Sequence, residues 1–328
     1  MTGAEVVVDG VQRTQIADAR VVHEDRDATA DECAVDEIST GALAAPSALL
    51  AAWVAKLSPH NAQGEFYLTD IVGFALADGV PVHAQLAEDA DEALGINDRA
   101  QLAAVERIVQ RRRADALMRD GTTIADPARI DIRGALSAAP DTYIDVGCVF
   151  EGDVSLAAGA HVGPYCVLRN THVGAGTRIH AHSHLDGATI GAHASIGPYA
   201  RLRPGATLAD EVHIGNFVEV KASNVGARSK ANHLAYIGDS TVGADVNFGA
   251  GSITANYDGA NKHRTVIGDN VHVGSNCVLI APIDVGANAT IGGGSTVSKM
   301  VPADQLTVSR APQVSVATWK RPRKMKPA

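Results

Sequence analysis

From residue 144 onward, large aliphatic and aromatic residues recur every six positions. The series runs Ile144, Phe150, Leu156, Val162, Leu168, steps by five, and continues Val173, Ile179, Leu185. After a second step of five come Ile190, Ile196, Leu202, Leu208, Ile214 and Val220, and the phase returns at Ile267, Val273, Leu279, Val285, Ile291 and Val297. A small residue often stands two positions earlier (Ala160, Cys166, Ala194, Ala200, Cys277, Ala289), and glycine often follows, as in Ile190-Gly191 and Val273-Gly274. A period of six fits neither an α-helix nor a strand with one buried face. It fits a coil with three flat sides, one hexapeptide to a side. The large residue points inward, the small one fits the corner, and glycine takes the turn. The pattern predicts a parallel β-helix.

Two polar stretches break the rhythm, Gly226 to Ala235 and Thr254 to Thr265. Both read as loops inserted between coils, and loops on a solenoid gather on its binding face. Upstream, residues 98–121 read as one helix, with Leu102, Val105, Val109 and Leu117 as its apolar stripe and Gly121 as its stop. Residues 1–97 carry no repeat and read as mixed α/β, with a helix over 45–57 that admits Pro46 in its first turn and a loop then helix over 63–79. The domains expected are an α/β segment over 1–98, a helical linker over 99–120 and the β-helix over 121–328.

The chain has 328 residues, of which 46% are hydrophobic and 20% charged, enough for a sizeable core. Aromatics make up only 4% against 32 glycines, which suits tight regular coils. The net charge of −9 argues against nucleic acid as partner. The four cysteines are scattered, with no CxxC pair, and read as reduced thiols. With no signal peptide and no apolar run long enough to span a bilayer, the expected compartment is the cytoplasm.

For chemistry, His233 stands out, because it lies in a polar break beside Lys230, Asn232 and Tyr236. Histidine is the usual base near neutral pH. Arg203 and Lys221 are separated by three hexads, one full turn of the coil, so they stack in adjacent coils and make an anion site. His180, His182 and His184, with His193 nearby, could converge on a metal if they shared a face, or could line an exposed side of the coil. The tail from Trp319 to Lys326 is basic, either solvated or in contact with a phosphate-bearing cofactor.

At these residues the chain resembles the GlmU family of bifunctional N-acetylglucosamine-1-phosphate uridyltransferases and glucosamine-1-phosphate acetyltransferases. The resemblance rests on RLRPG (201–205), HIGNFVEVK (213–221), SKANHLAYIGD (229–239), VNFGAGSITANYDGANKH (246–263) and VGSN (273–276). It implies a left-handed β-helix that assembles as a homotrimer. It implies His233 as general base toward the amine of glucosamine-1-phosphate, with Arg203, Lys221, Tyr236, Asn247 and Lys262 as sugar-phosphate contacts. Asn256 and Tyr257 match positions that meet acetyl-CoA at the reacting centre, and Ala250, Ser275, Gly293 and Arg310 match its other contacts.

The amino-terminal part departs from the family. The glycine-rich signature that opens the family's nucleotide-binding domain is missing, and the resemblance enters partway through that domain, at residues 21–29, 36–41, 61–70 and 95–102. Glu24 matches a uridine-nucleotide contact, Ser39 replaces an asparagine, and Asn97 matches a Mg2+ ligand whose aspartate partner would lie upstream. The expectation is acetyl transfer without uridyl transfer. The alternatives are a fragment of a bifunctional enzyme that also uses UTP, and a non-enzymatic or zinc-binding hexapeptide-repeat protein.

Overall fold

The computed structural model describes residues 6–11, 38–87 and 89–321. The chain divides into two compact units, residues 1–108 and 109–328. In the first, strands Val6–Val11, Ile38–Ala44 and Val82–Leu86 form a small sheet with the first strand in the centre, antiparallel to the second and parallel to the third. Helices Ser47–Val54 and Asp70–Ala77 bury Trp53, Ile71, Val72 and Ala75 together. Pro46 directly precedes the first helix and accepts the Leu50 N–H, a place where a missing donor costs nothing. Segment 21–29, Glu24 and residues 322–328 lie outside the described residues.

The second unit is a parallel β-helix of the hexapeptide type, with strands mostly two to four residues long stacked coil on coil along three faces. On the first face Ile144, Val162, Ile179, Ile196, Ile214, Ala231, Phe248, Val273 and Ile291 follow one another in parallel register. On the second the inward residues include Phe150, Leu168, Leu185, Leu202, Val220, Ile237, Thr254 and Leu279. On the third they are Leu156, Val173, Ile190, Leu208, Val225, Val242, Ile267 and Val285. All are buried in one continuous core, apart from Thr254 entirely apolar.

One of the two expected insertions is not an insertion. Over 226–235 the coil is regular: Ala231 pairs with Ile214 below and Phe248 above, at equal spacing along the chain, and is 1% exposed. The phase continues through Val225, Ala231, Ile237, Val242 and Phe248 without a break. An alanine at one inward position, beside the bulk of Phe248, hid it. The second interruption is an insertion. The chain leaves the first face at Phe248 and regains it only at Val273, a longer path than the preceding coil takes from Ala231 to Phe248.

At the corner after the first face, Tyr165, His182, Tyr199, Phe217 and Leu234 all adopt left-handed backbone, with φ between +54° and +60°. Such conformations cost a side-chain-bearing residue about 1 kcal/mol or more, so they are held by the coil geometry. The four rings stack in sequence at 5.3, 4.9 and 5.5 Å between centroids, on the outside of the helix.

Helix Arg99–Arg119 buries the apolar stripe that its sequence offers only at its carboxyl end. Leu102 is 52% exposed, whereas Gln110 and Ala114 are buried, and Leu117 and Met118 pack on the β-helix core. Gln110 replaces a backbone partner: its Nε2 donates to the Ile132 carbonyl at 3.0 Å and its Oε1 accepts the Ile132 N–H at 2.7 Å. Arg113 adds a second bond to the same carbonyl at 2.7 Å.

Because each inward residue supports a coil on either side, truncating Ile196 to alanine is expected to lower the stability of the β-helix by about 2–5 kcal/mol. Urea unfolding followed by circular dichroism measures this, and a loss below about 1 kcal/mol would contradict the packing described.

Candidate active site

The coil register places the singled-out residues on two edges of the second face. On one edge, His233, Ala250, Ser275 and Gly293 each stand two residues beyond a paired inward residue of the first face (Ala231, Phe248, Val273, Ile291). They form one column over four coils, tied by Asn276 N–H to the Ala250 carbonyl and Gly294 N–H to the Ser275 carbonyl, both 2.8 Å. Arg310 Nη1 donates to the Gly293 carbonyl at 2.9 Å. Beyond His233, therefore, runs a strip of small side chains, with an arginine at its far end. His233 itself is exposed, ending strand Lys230–His233. At Gly293 an added Cβ would come within 3.3 Å of the Ser275 carbonyl, a close fit that explains a small residue there.

On the other edge, Arg203 and Lys221 directly follow Leu202 and Val220, which are paired, so the two cations stack as their spacing requires. Each is held by a carboxylate. Arg203 Nη1 lies 2.8 Å from Glu219 Oε1, and this bond raises its pKa further above the usual range. Lys221 Nζ lies 3.2 Å from Asp239 Oδ2, with side chains only 16% and 18% exposed. Between the edges lies Tyr236, in register with Glu219. Asn256 Nδ2 donates to Asp239 Oδ2 and lies 3.4 Å from the Tyr236 hydroxyl.

The inserted loop that follows Asn256 is folded on itself. Tyr257 and Lys262 form an antiparallel bridge. Asp258 accepts the N–H groups of Asn261 at 2.7 Å and Ala260 at 2.8 Å, and pairs with His263 Nε2 at 2.6 Å. These bonds hold its carboxyl far below the ordinary carboxylate range. The Tyr257 ring projects outward, 62% exposed. Lys262 reaches Lys221: the contact and the neighbouring charge push Lys262 below the usual lysine value, while contact with Lys262 and then Asp239 holds Lys221 above it. Lys262 thus gives up its proton more readily, while Lys221, the less exposed of the two and the one paired with Asp239, keeps its proton more firmly.

The other expected site residues lie elsewhere. Asn247 points outward from the first face, in register with Lys230 and His272. Asn97 is exposed at the foot of the linker helix, and among the described residues no group of three or more His, Cys, Asp or Glu is arranged to hold an ion. The histidine run diverges: His182 stacks between Tyr165 and Tyr199 at a corner, His180 bonds Ser195, and His184 pairs along the second face. Sequence reasoning missed Glu219 and Asp239. Each lies one coil further along the chain than the cation it meets but off that cation's register position, Glu219 pairing with Arg201 and Lys221 with Gly238, so the spacing argument that found the cations does not find them.

Comparisons with known proteins agree with this architecture. Residues 132–225 match the model of the GMPPB C-terminal domain, and residues 264–299 that of the bacterial transferase hexapeptide, six repeats. A protein of Methylibium petroleiphilum named "Bifunctional protein GlmU" is 59% identical over 301 residues, covering 92% of this chain and 65% of that one. A protein of the same name from Janthinobacterium sp. (strain Marseille) is 56% identical over 316 residues, covering 96% of this chain and 70% of that one. The chain thus spans about two thirds of the length of these relatives.

Among the described residues no thiol stands at either edge. Burial pushes Cys148 up to about 12 and Cys166 up to about 11, and Cys277 is fully buried. In the native protein these three cysteines are expected to resist Ellman's reagent at pH 8 and to react on denaturation, read residue by residue by mass spectrometry.

Proposed function

The chain belongs to the GlmU family, and from that premise we propose that it transfers an acetyl group from acetyl-CoA to the amine of glucosamine-1-phosphate, giving N-acetylglucosamine-1-phosphate. The observation that carries this reading is the two-edged second face. Cations that suit a phosphate lie on one edge, a histidine on the other. His233 precedes Gly238, the register partner of Lys221, by five residues, a backbone span of at most about 18 Å.

In this reading Arg203, Lys221 and Lys262 hold the phosphate and Tyr236 contacts the sugar, while Asn247, which points outward from the first face, meets the sugar bound at a neighbouring subunit of the homotrimer. The phosphate orients the sugar so that its amine meets His233. His233 takes the amine proton as nitrogen attacks the thioester carbonyl. The C–N bond forms, the C–S bond breaks, and the proton passes to the departing coenzyme A thiolate. Hydrogen-bond donors near the carbonyl oxygen stabilise the charge that develops there. Acetyl-CoA lies along the strip Ala250, Ser275 and Gly293, whose small side chains let it approach the backbone. Arg310 faces its phosphates, and Asn256 and Tyr257 stand at the reacting end. No cysteine is needed as nucleophile.

A homotrimer is part of the same proposal. What supports it is the stacked corner column: Tyr165, Tyr199, Phe217 and Leu234 are each 50–59% exposed and, with the His182 ring stacked among them, form a largely apolar stripe of the kind that self-association covers. No helix among the described residues is long and apolar enough to cross a membrane, and we place the activity in the cytoplasm. Of the residues carried over for a uridine nucleotide and Mg2+, Glu24 lies outside the described residues and Asn97 is one exposed amide, so the proposal is limited to acetyl transfer.

Purified protein given acetyl-CoA and glucosamine-1-phosphate is expected to release coenzyme A thiol, and His233→Ala to slow this by about 10²- to 10⁴-fold while remaining folded. An unchanged rate in that variant would remove His233 as base. No thiol release by the folded wild type would return the chain to the non-enzymatic reading.

Aspartate is well tolerated in left-handed backbone, so Tyr199→Asp with Phe217→Asp keeps the corner geometry while charging the stripe. Analytical ultracentrifugation is expected to show the wild type as a trimer and this variant as a monomer with an unchanged β-sheet spectrum.

A further inference from the structure

Asp239 stands between two groups that acetyl transfer assigns to different substrates. Lys221 serves the sugar phosphate, and Asn256 serves the acetyl donor. One oxygen of Asp239, Oδ2, takes a donor from each: the Lys221 ammonium at 3.2 Å and the Asn256 amide. We propose that Asp239 is the positioning residue of the site, fixing Lys221 and Asn256 together before either substrate binds. The proposal rests on the acetyl-transfer reading.

The backbone of Asp239 is pinned on both sides. Its φ is +50°, its N–H donates to the Lys221 carbonyl at 3.0 Å, and its own carbonyl accepts the Thr265 N–H at 3.3 Å. The preceding peptide is held from inside the coil. Thr254 occupies an inward position where most coils carry an aliphatic residue, 1% exposed. Its hydroxyl accepts the Gly238 N–H at 2.8 Å and donates to the Gly238 carbonyl at 3.1 Å. A hydroxyl at an otherwise apolar position thus anchors the residue from which Asp239 projects.

The carboxylate does two distinct things. Lysine is a point charge on a flexible four-carbon stem, and a partner of low exposure spares the phosphate the cost of ordering it. For Asn256, the effect is one of polarity. A carboxylate only accepts hydrogen bonds, so the amide must turn its NH2 toward Asp239. The remaining N–H then points to the Tyr236 hydroxyl, 3.4 Å away. Asn256 Oδ1 is left as an acceptor, with no bond from the described residues, fit for an N–H of the incoming amine or of the acyl carrier. Asp239 is also one of the two carboxylates facing the three cations Arg203, Lys221 and Lys262, since its charge is felt at all three.

Asp239→Asn tests this with little disturbance, because asparagine tolerates the same left-handed backbone. It removes the charge and sets one amide against another. The KM values for glucosamine-1-phosphate and for acetyl-CoA are both expected to rise about tenfold to a hundredfold, the range that a lost bond to a charged group spans. The melting temperature should stay within a few degrees of wild type. In a double-mutant cycle, the effect of Asn256→Ala on the acetyl-CoA KM is expected to shrink at least threefold in the Asp239→Asn background. Unchanged KM values, additive effects, or a loss confined to kcat and melting temperature would each overturn the proposal.

A second readout needs no turnover. Trace acetylation with acetic anhydride, followed by mass spectrometry, is expected to label Lys221 several-fold faster in Asp239→Asn and Lys230 at the wild-type rate. If the wild type releases no coenzyme A, the functional reading fails and the labelling decides alone: faster labelling of Lys221 keeps Asp239 as its holder, and an unchanged rate removes it.

Discussion

Every coil of this protein hydrogen-bonds to the next in parallel register, and that constraint fixes almost everything else. Once Leu202 is paired with Val220, and Ala231 with Phe248, each position lies over its equivalent one coil away. Spacing along the chain becomes distance in space, one coil to every three sides. Arg203 lies beside Lys221 for this reason, and His233 heads a column with Ala250, Ser275 and Gly293. The ladder assembles most of the candidate site from residues that share a register position, and the inserted loop adds Asn256, Tyr257 and Lys262.

The same constraint decides what could be read in advance. The hexad rhythm and the stacked cations follow from counting, and the structure has both. Counting stops working where bulk and register part company. Ala231 keeps its place on the inward face but is too small to mark it, so a regular coil looked like a loop. In the linker helix Leu102 is left exposed while the polar Gln110 is buried, because Gln110 has a backbone to satisfy. Hydrophobic periodicity has no means of registering a hydrogen bond made by a polar side chain. Asp239 was missed for a related reason. Its importance lies in which atoms it joins, and that emerges only when the turn after Ile237 and the inserted loop are both in place.

The electrostatics divide along the same lines. On the flat faces, charges of opposite sign alternate from coil to coil, as in Arg133, Glu151 and Arg169, at the surface and screened by water. At the cation edge the pairing of Lys221 with Asp239 is drier. The contrast between Lys221, 16% exposed, and Arg228, 51% exposed, separates a charge set in place from one that balances the surface.

A stack of identical coils has no inherent length. Its last strand is as ready to accept another as the one before it, and two such ends meeting could grow into a fibre. Gln110 answers this at the amino-terminal end. With one amide it supplies both the donor and the acceptor that a further strand would offer to Ile132, and Arg113 doubles the acceptor bond. The helix that carries them thus acts as a chain terminator, making a molecule of finite size out of a repeat that could otherwise go on adding copies.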